Sequence, residues 1–171
     1  MFELKELIGQ KFQYIGRSID LCWIGLGDLI PVINHKGEEV TRAKYALHIL
    51  SNFRIWQPSN SNFRIGYGDM FNPCGGVERP EDFDFDIQGG NFYDEKVVIL
   101  QQDSELMSGL IVKTVEMNEM FDLKIVFENG VILQTFSDCF CESVELWRVF
   151  TFGENRKRII VCGTGIDNVF E

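Results

Sequence analysis

The chain has 171 residues, 26 of them acidic and 16 basic, for a formal net charge of −10; it therefore repels phosphate backbones, which argues against a nucleic-acid partner. A hydrophobic fraction of 45% and a charged fraction of 25% set it apart from disordered chains, and the length suits a single domain, residues 1–171, around one core. Fifteen Phe point to a β-rich interior, because large rings pack well on pleated surfaces.

In chain order, the opening alternates charged and apolar residues, unlike a secretion signal, and Phe2, Leu4, Leu7 and Ile8 have the spacing of a short amphipathic helix. No later run reaches the length of a membrane span, so a cytoplasmic protein without a membrane partner is expected. Residues 11–28 read as extended chain with Leu21 and Trp23 on one face and Cys22, Ile24 and Leu26 on the other. Asn34-His35-Lys36-Gly37 is a turn signal, and Pro31 before it suits an edge strand.

Residues 51–69 repeat Ser-Asn-Phe-Arg-Ile ten positions apart around Pro58. Pairing residues 44–57 with 61–68 around Pro58-Ser59-Asn60 places Phe53 opposite Ile65 and Ile55 opposite Phe63 as an apolar zipper. The same register places Arg54 opposite Arg64 on the far face, beside His48, Asn52 and Trp56. Two facing guanidiniums need an anion between them. Asp28 and Asp69, which close the similar phrases IGLGD and IGYGD, are candidates to supply it.

Residues 79–95 combine acidic alternation with Gly89-Gly90. Asp82, Asp84 and Asp86 open like a calcium loop, but Ile87 stands where Gly is needed and Tyr93 where a bidentate Glu is needed. The segment reads as extended, with Phe83 and Phe85 inward, followed by a helix capped by Asn91 or Asp94, running to about Ser104 and burying Val97, Val98, Ile99 and Leu100. Residues 110–117, 121–128, 131–137, 146–152 and 158–163 read as five strands in meander order. Asn129-Gly130 as a two-residue turn sets Phe127 against Ile132, Ile125 against Gln134 and Leu123 against Phe136.

No cofactor or metal is expected. Cys139-x-Cys141 has no second pair at finger spacing, and Gly163-Thr164-Gly165 has no helix after it to receive a phosphate. The five cysteines form an odd set and read as free thiols. Arg156-Lys157-Arg158 reads as a solvated hairpin end. The fold expected is mainly β (α+β): an antiparallel sandwich or partly closed barrel with one or two short helices.

Several phrases, ALHILSNFRI (46–55), GYGDMFNP (66–73), FDFDIQGGNFYDEKV (83–97) and FENGVILQTFSDCFCESVELWRVF (127–150), resemble a group of small bacterial proteins in which the first phrase usually reads Ala-Leu-His-Ile-Gln-Cys-Pro-Trp-Arg-Ile. Ala46, Leu47, His48, Ile49, Arg54 and Ile55 match it, whereas Leu50, Ser51, Asn52 and Phe53 depart. Some members of that group resemble the immunity partners of bacterial toxins, which implies a protein that binds rather than catalyses. On that expectation Glu78, Glu81, Asp82, Asp84 and Asp86 attract a basic protein such as a toxin domain. The alternative is a small enzyme or ligand-binding module that uses His48, Arg54, Arg64, Asp69 and Asp28 on an anionic small molecule. No nucleophile–base signature accompanies those residues.

Overall fold

The computed structural model describes residues 2–153 and 156–167. The opening helix is one turn of 3-10 helix, Leu4–Leu7, with Phe2 and Leu7 buried and Ile8 exposed. It stops at Gly9, which takes a left-handed φ of 81° and donates its N–H to Val112 O.

Among the described residues eleven strands follow: β1 (Phe12–Ser18), β2 (Leu21–Ile33), β3 (Glu39–Ile49), β4 (Asn52–Gln57), β5 (Asn60–Gly66), β6 (Val112–Met117), β7 (Leu123–Phe127), β8 (Ile132–Phe136), β9 (Glu145–Thr151), β10 (Arg158–Cys162) and β11 (Gly165–Asp167). Helices α1 (Phe92–Gln102) and α2 (Ser104–Ser108) lie between β5 and β6. The strands form two antiparallel sheets, ordered β1-β2-β3-β9-β10-β11 and β5-β4-β8-β7-β6, and neither closes into a barrel. The mainly β, α+β architecture is therefore as expected, in its two-sheet form. Leu47, Ile49, Trp147 and Val149 from the first sheet and Phe53, Ile55, Ile125 and Leu133 from the second belong to one buried cluster, so each sheet turns one face inward and the other outward.

Several expectations are corrected. Residues 44–57 are not one ribbon. The chain leaves β3 at Leu50-Ser51, whose amides both donate to Leu146 O at 2.9 and 3.0 Å, and enters the second sheet as β4. The Phe-Arg-Ile hairpin is real but its register differs: Ile55 faces Ile65, Trp56 faces Arg64 and Arg54 faces Gly66, with a bulge before Gln57 pairs with Asn60. The slip is two residues, so Phe53, Ile55 and Ile65 still point inward and both arginines outward. The last third is not a simple meander, because after β6-β7-β8 the chain crosses back and β9 inserts between β3 and β10.

The β7–β8 loop also has three residues rather than two. Gly130 N–H donates to Phe127 O, Phe127 N–H donates to Val131 O, and only Gly130 adopts a positive φ, 82°. That is a type I turn closed by a left-handed glycine. Ile125 consequently faces Leu133, and Lys124 faces Gln134.

Helix α1 starts as expected, with the Asn91 side chain accepting from Asp94 N at 2.9 Å. Tyr93, Val97 and Leu100 are buried, but Val98 and Ile99 are exposed, because one helical face cannot hold four consecutive residues. Arg17, only 4% exposed, fastens this end of the molecule. Its guanidinium donates to both Asp94 oxygens at 2.8 Å, to Ile19 O at 3.0 Å and to Ile87 O at 2.9 Å. One side chain thus ties the β1–β2 turn, the acidic segment and the start of α1 together.

Candidate functional site

The sheet switch at Leu50-Ser51 splits the constellation expected from the sequence. His48 lies on the outward face of the six-stranded sheet, whereas Arg54 and Arg64 lie on the outward face of the other. Arg54 covers aromatic rings, with its guanidinium carbon 4.2 Å from the Phe136 centroid and 5.8 Å from that of Trp56. The two arginines do not face one another, so no anion is needed between them. Asp69 pairs with Lys96 at 2.9 Å and accepts from Gly66 N at 2.7 Å, which fastens the end of β5 to α1. Asp28 is an exposed residue at the β2 bulge in the first sheet.

His48 instead lines a cleft of about 1040 Å³ on the outward face of the six-stranded sheet. The floor is built on glycines. A Cβ at Gly16 would lie 2.2 Å from the Trp23 ring and one at Gly25 would lie 2.3 Å from the Tyr14 ring, so both rings rest on bare backbone. They meet edge to face at 5.7 Å, and the Tyr14 hydroxyl accepts from Ala43 N at 2.9 Å. One wall is the part of β2 and β3 that extends beyond β1, including Pro31, Val32, Val40 and Arg42. Here β2 is an edge strand, as Pro31 foretold. The other wall is Phe150, Phe152 and Gly153, with Arg156 close by.

His48 sits edge to face on Phe150, at 4.9 Å and 83°. Its Nδ1 accepts from Arg148 Nε at 3.2 Å and lies 3.1 Å from Arg148 Nη2, and Arg148 Nη1 donates to Glu145 Oε2 at 3.3 Å. A guanidinium has no acceptor, so Nδ1 must present its lone pair and the imidazole proton sits on Nε2. Burial first, and the Arg148 charge second, depress the His48 pKa to about 4. Near neutral pH His48 is therefore a fixed donor and a poor proton shuttle. Burial pushes the Glu145 carboxyl the other way, upward, against the pull of Arg148.

Arg42 and Arg156 are exposed and make no ion pair among the described residues. No Asp or Glu is found among the described residues that line the cleft, although the chain carries a net charge of −10. Both histidines of the chain, His35 and His48, line it. Sequence reasoning missed Trp23, Phe150, Arg42 and Arg148. The legible signal for the floor was a glycine inside each of two successive strands.

The acidic segment is a series of turns rather than an extended strand: Phe83 N–H donates to Pro80 O, Ile87 N–H to Asp84 O and Gly90 N–H to Ile87 O. Glu78, Glu81, Asp82, Asp84 and Asp86 are all exposed, and Phe85 packs on Phe71 at 5.0 Å. Among the described residues no group of three or more His, Cys, Asp or Glu is placed to hold a metal ion, and no helix is long and apolar enough to cross a membrane. No protein-family model, curated protein or solved structure matches the chain. The class defined by fold and site is thus a two-sheet α+β protein with an open, cation-rimmed cleft on one outer face.

Proposed function

We propose that the chain is a cytosolic binding protein that holds an anionic ligand of small-molecule size in this cleft and performs no reaction on it. One observation carries the reading. A concavity of about 1040 Å³ in an acid-rich chain is rimmed by Arg42 and Arg156, with no described carboxylate lining it. Ligand sites of roughly 300–1,000 Å³ are mostly apolar with a few placed polar groups, and this cleft has that make-up. The neutral His48 supports binding over acid–base work. Of the ligand residues read from the sequence, only His48 belongs to the site; Arg54, Arg64, Asp69 and Asp28 lie elsewhere.

The test is calorimetric titration with a panel of organic anions. Loss of binding in Arg42→Ala/Arg156→Ala with retention in Arg54→Ala/Arg64→Ala supports the cleft. Equal affinity in both double variants rejects it.

A second reading has its own support. Glu78, Glu81, Asp82, Asp84 and Asp86 are displayed together on a segment anchored through Arg17, as capture of a basic protein of the toxin type requires. Replacing the five by Asn and Gln is expected to slow association with such a partner and flatten its salt dependence; an unchanged rate removes this reading.

A further inference from the structure

Building on the cleft reading, we infer that the ligand is an amphipathic anion bound body-first. A flat apolar body lies on Trp23 and Phe150, an acceptor atom of that body takes the His48 Nε2 proton, and a terminal carboxylate or phosphate stays at the rim with Arg42 and Arg156.

The polarity of the cleft runs from floor to rim. At the floor the nearest cation, Arg148, is already engaged by Glu145 Oε2 and His48 Nδ1, so the floor offers no free charge to an anion. What it offers is aromatic surface, Trp23 on the bare backbone of Gly16 and Phe150 beside His48, together with one N–H. Because Nδ1 is occupied by Arg148, Nε2–H is the remaining hydrogen-bonding group of the imidazole, and it is a donor only. The ligand atom that meets it is an acceptor such as a ring nitrogen, a carbonyl or an ether oxygen. The cations without an ion pair among the described residues, Arg42 and Arg156, stand at the other end. Arg42 is on the β3 wall and Arg156 is next to the facing β9 end, both exposed. Guanidinium forks there match a carboxylate or a phosphate.

This arrangement discriminates. A small inorganic anion satisfies the rim and leaves the apolar floor wet. A neutral aromatic satisfies the floor and gains nothing from the arginines. A basic group is repelled at the entrance. Only a molecule with both ends uses the whole cleft, and a volume of about 1040 Å³ leaves room for a body larger than a single ring.

The experiment uses the full chain and follows backbone amide shifts by NMR with four probes: inorganic phosphate, naphthoate, naphthamide, and a quinoline carboxylate of the same outline with its ring nitrogen at the end away from the acid. Naphthoate is expected to shift Trp23, His48 and Phe150 and to bind about tenfold more tightly than naphthamide, the worth of one charge-assisted contact. Arg42→Ala/Arg156→Ala closes that gap; both residues are exposed, so the fold stands. The quinoline acid is expected to bind several-fold more tightly than naphthoate, and His48→Phe removes that advantage while keeping an aromatic ring. Phosphate is expected to bind more weakly than either acid. If naphthamide equals naphthoate, or phosphate equals both acids, the body-first orientation is wrong while the cleft itself survives as a site. If no probe moves a cleft residue, the cleft reading falls as well.

Discussion

The two outward sheet faces use the same ingredients to opposite effect. On the five-stranded sheet Arg54 lies 4.2 Å above Phe136, so cation and ring satisfy each other and cover that part of the face. On the six-stranded sheet Tyr14 and Trp23 rest on Gly25 and Gly16, Arg148 is turned onto His48 and Glu145, and the exposed Arg42 and Arg156 line the same cleft. The contrast traces to strand composition. β4, β6, β7 and β8 contain no glycine, and the glycine of β5, Gly66, lies opposite Arg54. Gly16 and Gly25 lower the floor by a side chain each and let the Trp23 and Tyr14 rings approach the backbone.

The most direct way to break this contrast is to refill the floor. Gly25→Val places a branched side chain where the Tyr14 ring lies, since even a Cβ would come within 2.3 Å. Overpacking of this kind costs about 1–3 kcal/mol, and calorimetric melting is expected to show the drop together with loss of cleft binding. An unchanged melting temperature would mean that Tyr14 moves aside freely and that the glycine is not what shapes the floor.

Next in size is Arg148→Met, which strips the donor from His48 Nδ1 and leaves the half-buried Glu145 carboxyl alone. Leaving buried polar groups unpaired costs about 1–3 kcal/mol. The same variant separates the two causes of the His48 shift. Burial is the larger cause and remains, so the His48 ring protons, followed by NMR, should titrate above about 4 yet still below the ordinary 6.5. Titration at an unchanged pH would show that Arg148 does not act on the imidazole.

How much of this was legible follows from the range of each interaction. Inward Phe53, Ile55 and Ile65 and outward Arg54 and Arg64 were readable because strand faces alternate, and a register slip of two residues preserves alternation. The Asn91 cap was readable because its partner is three residues away. The sheet switch was not. Residues on both sides of Leu50-Ser51 favour strand equally, and the acceptor that holds the switch is Leu146 O, far along the chain. The three-residue β7–β8 loop escaped notice because Asn129-Gly130 is also the pattern of the tighter turn. At the site His48 stood out by type, but its partner Arg148 is 100 residues away and carries no local signature.

Acid titration sharpens the contrast further, because His48 has no counterpart on the five-stranded face. The folded pKa of about 4 lies below the unfolded value of 6.5, so between those limits the unfolded chain binds more protons. Stability is thus fully present above about pH 6.5 and falls as pH drops toward about 4. A one-unit shift corresponds to about 1.4 kcal/mol, and solvent screening at this half-buried ring trims the total to about 1–2 kcal/mol. The carboxylates titrate in part of the same window, so the measure is the difference between wild type and His48→Gln in urea melts across the range. Parallel curves would show that His48 does not set the acid limb.

The smallest effects belong to the five-stranded face. Arg54→Ala loses its contact with Phe136, worth about 0.5–1 kcal/mol at an exposed site, and Arg64→Ala loses almost nothing. The informative quantity is their coupling in a double-mutant cycle. If the two guanidiniums faced each other across the hairpin, removing either would relieve like-charge repulsion, and the first deletion would stabilise more than the second. With Arg54 opposite Gly66 and Arg64 opposite Trp56, the effects should add within about 0.3–0.5 kcal/mol and neither substitution should raise stability. A stabilising Arg64→Ala would restore the facing-arginine register, and with it the need for an anion on this side of the molecule.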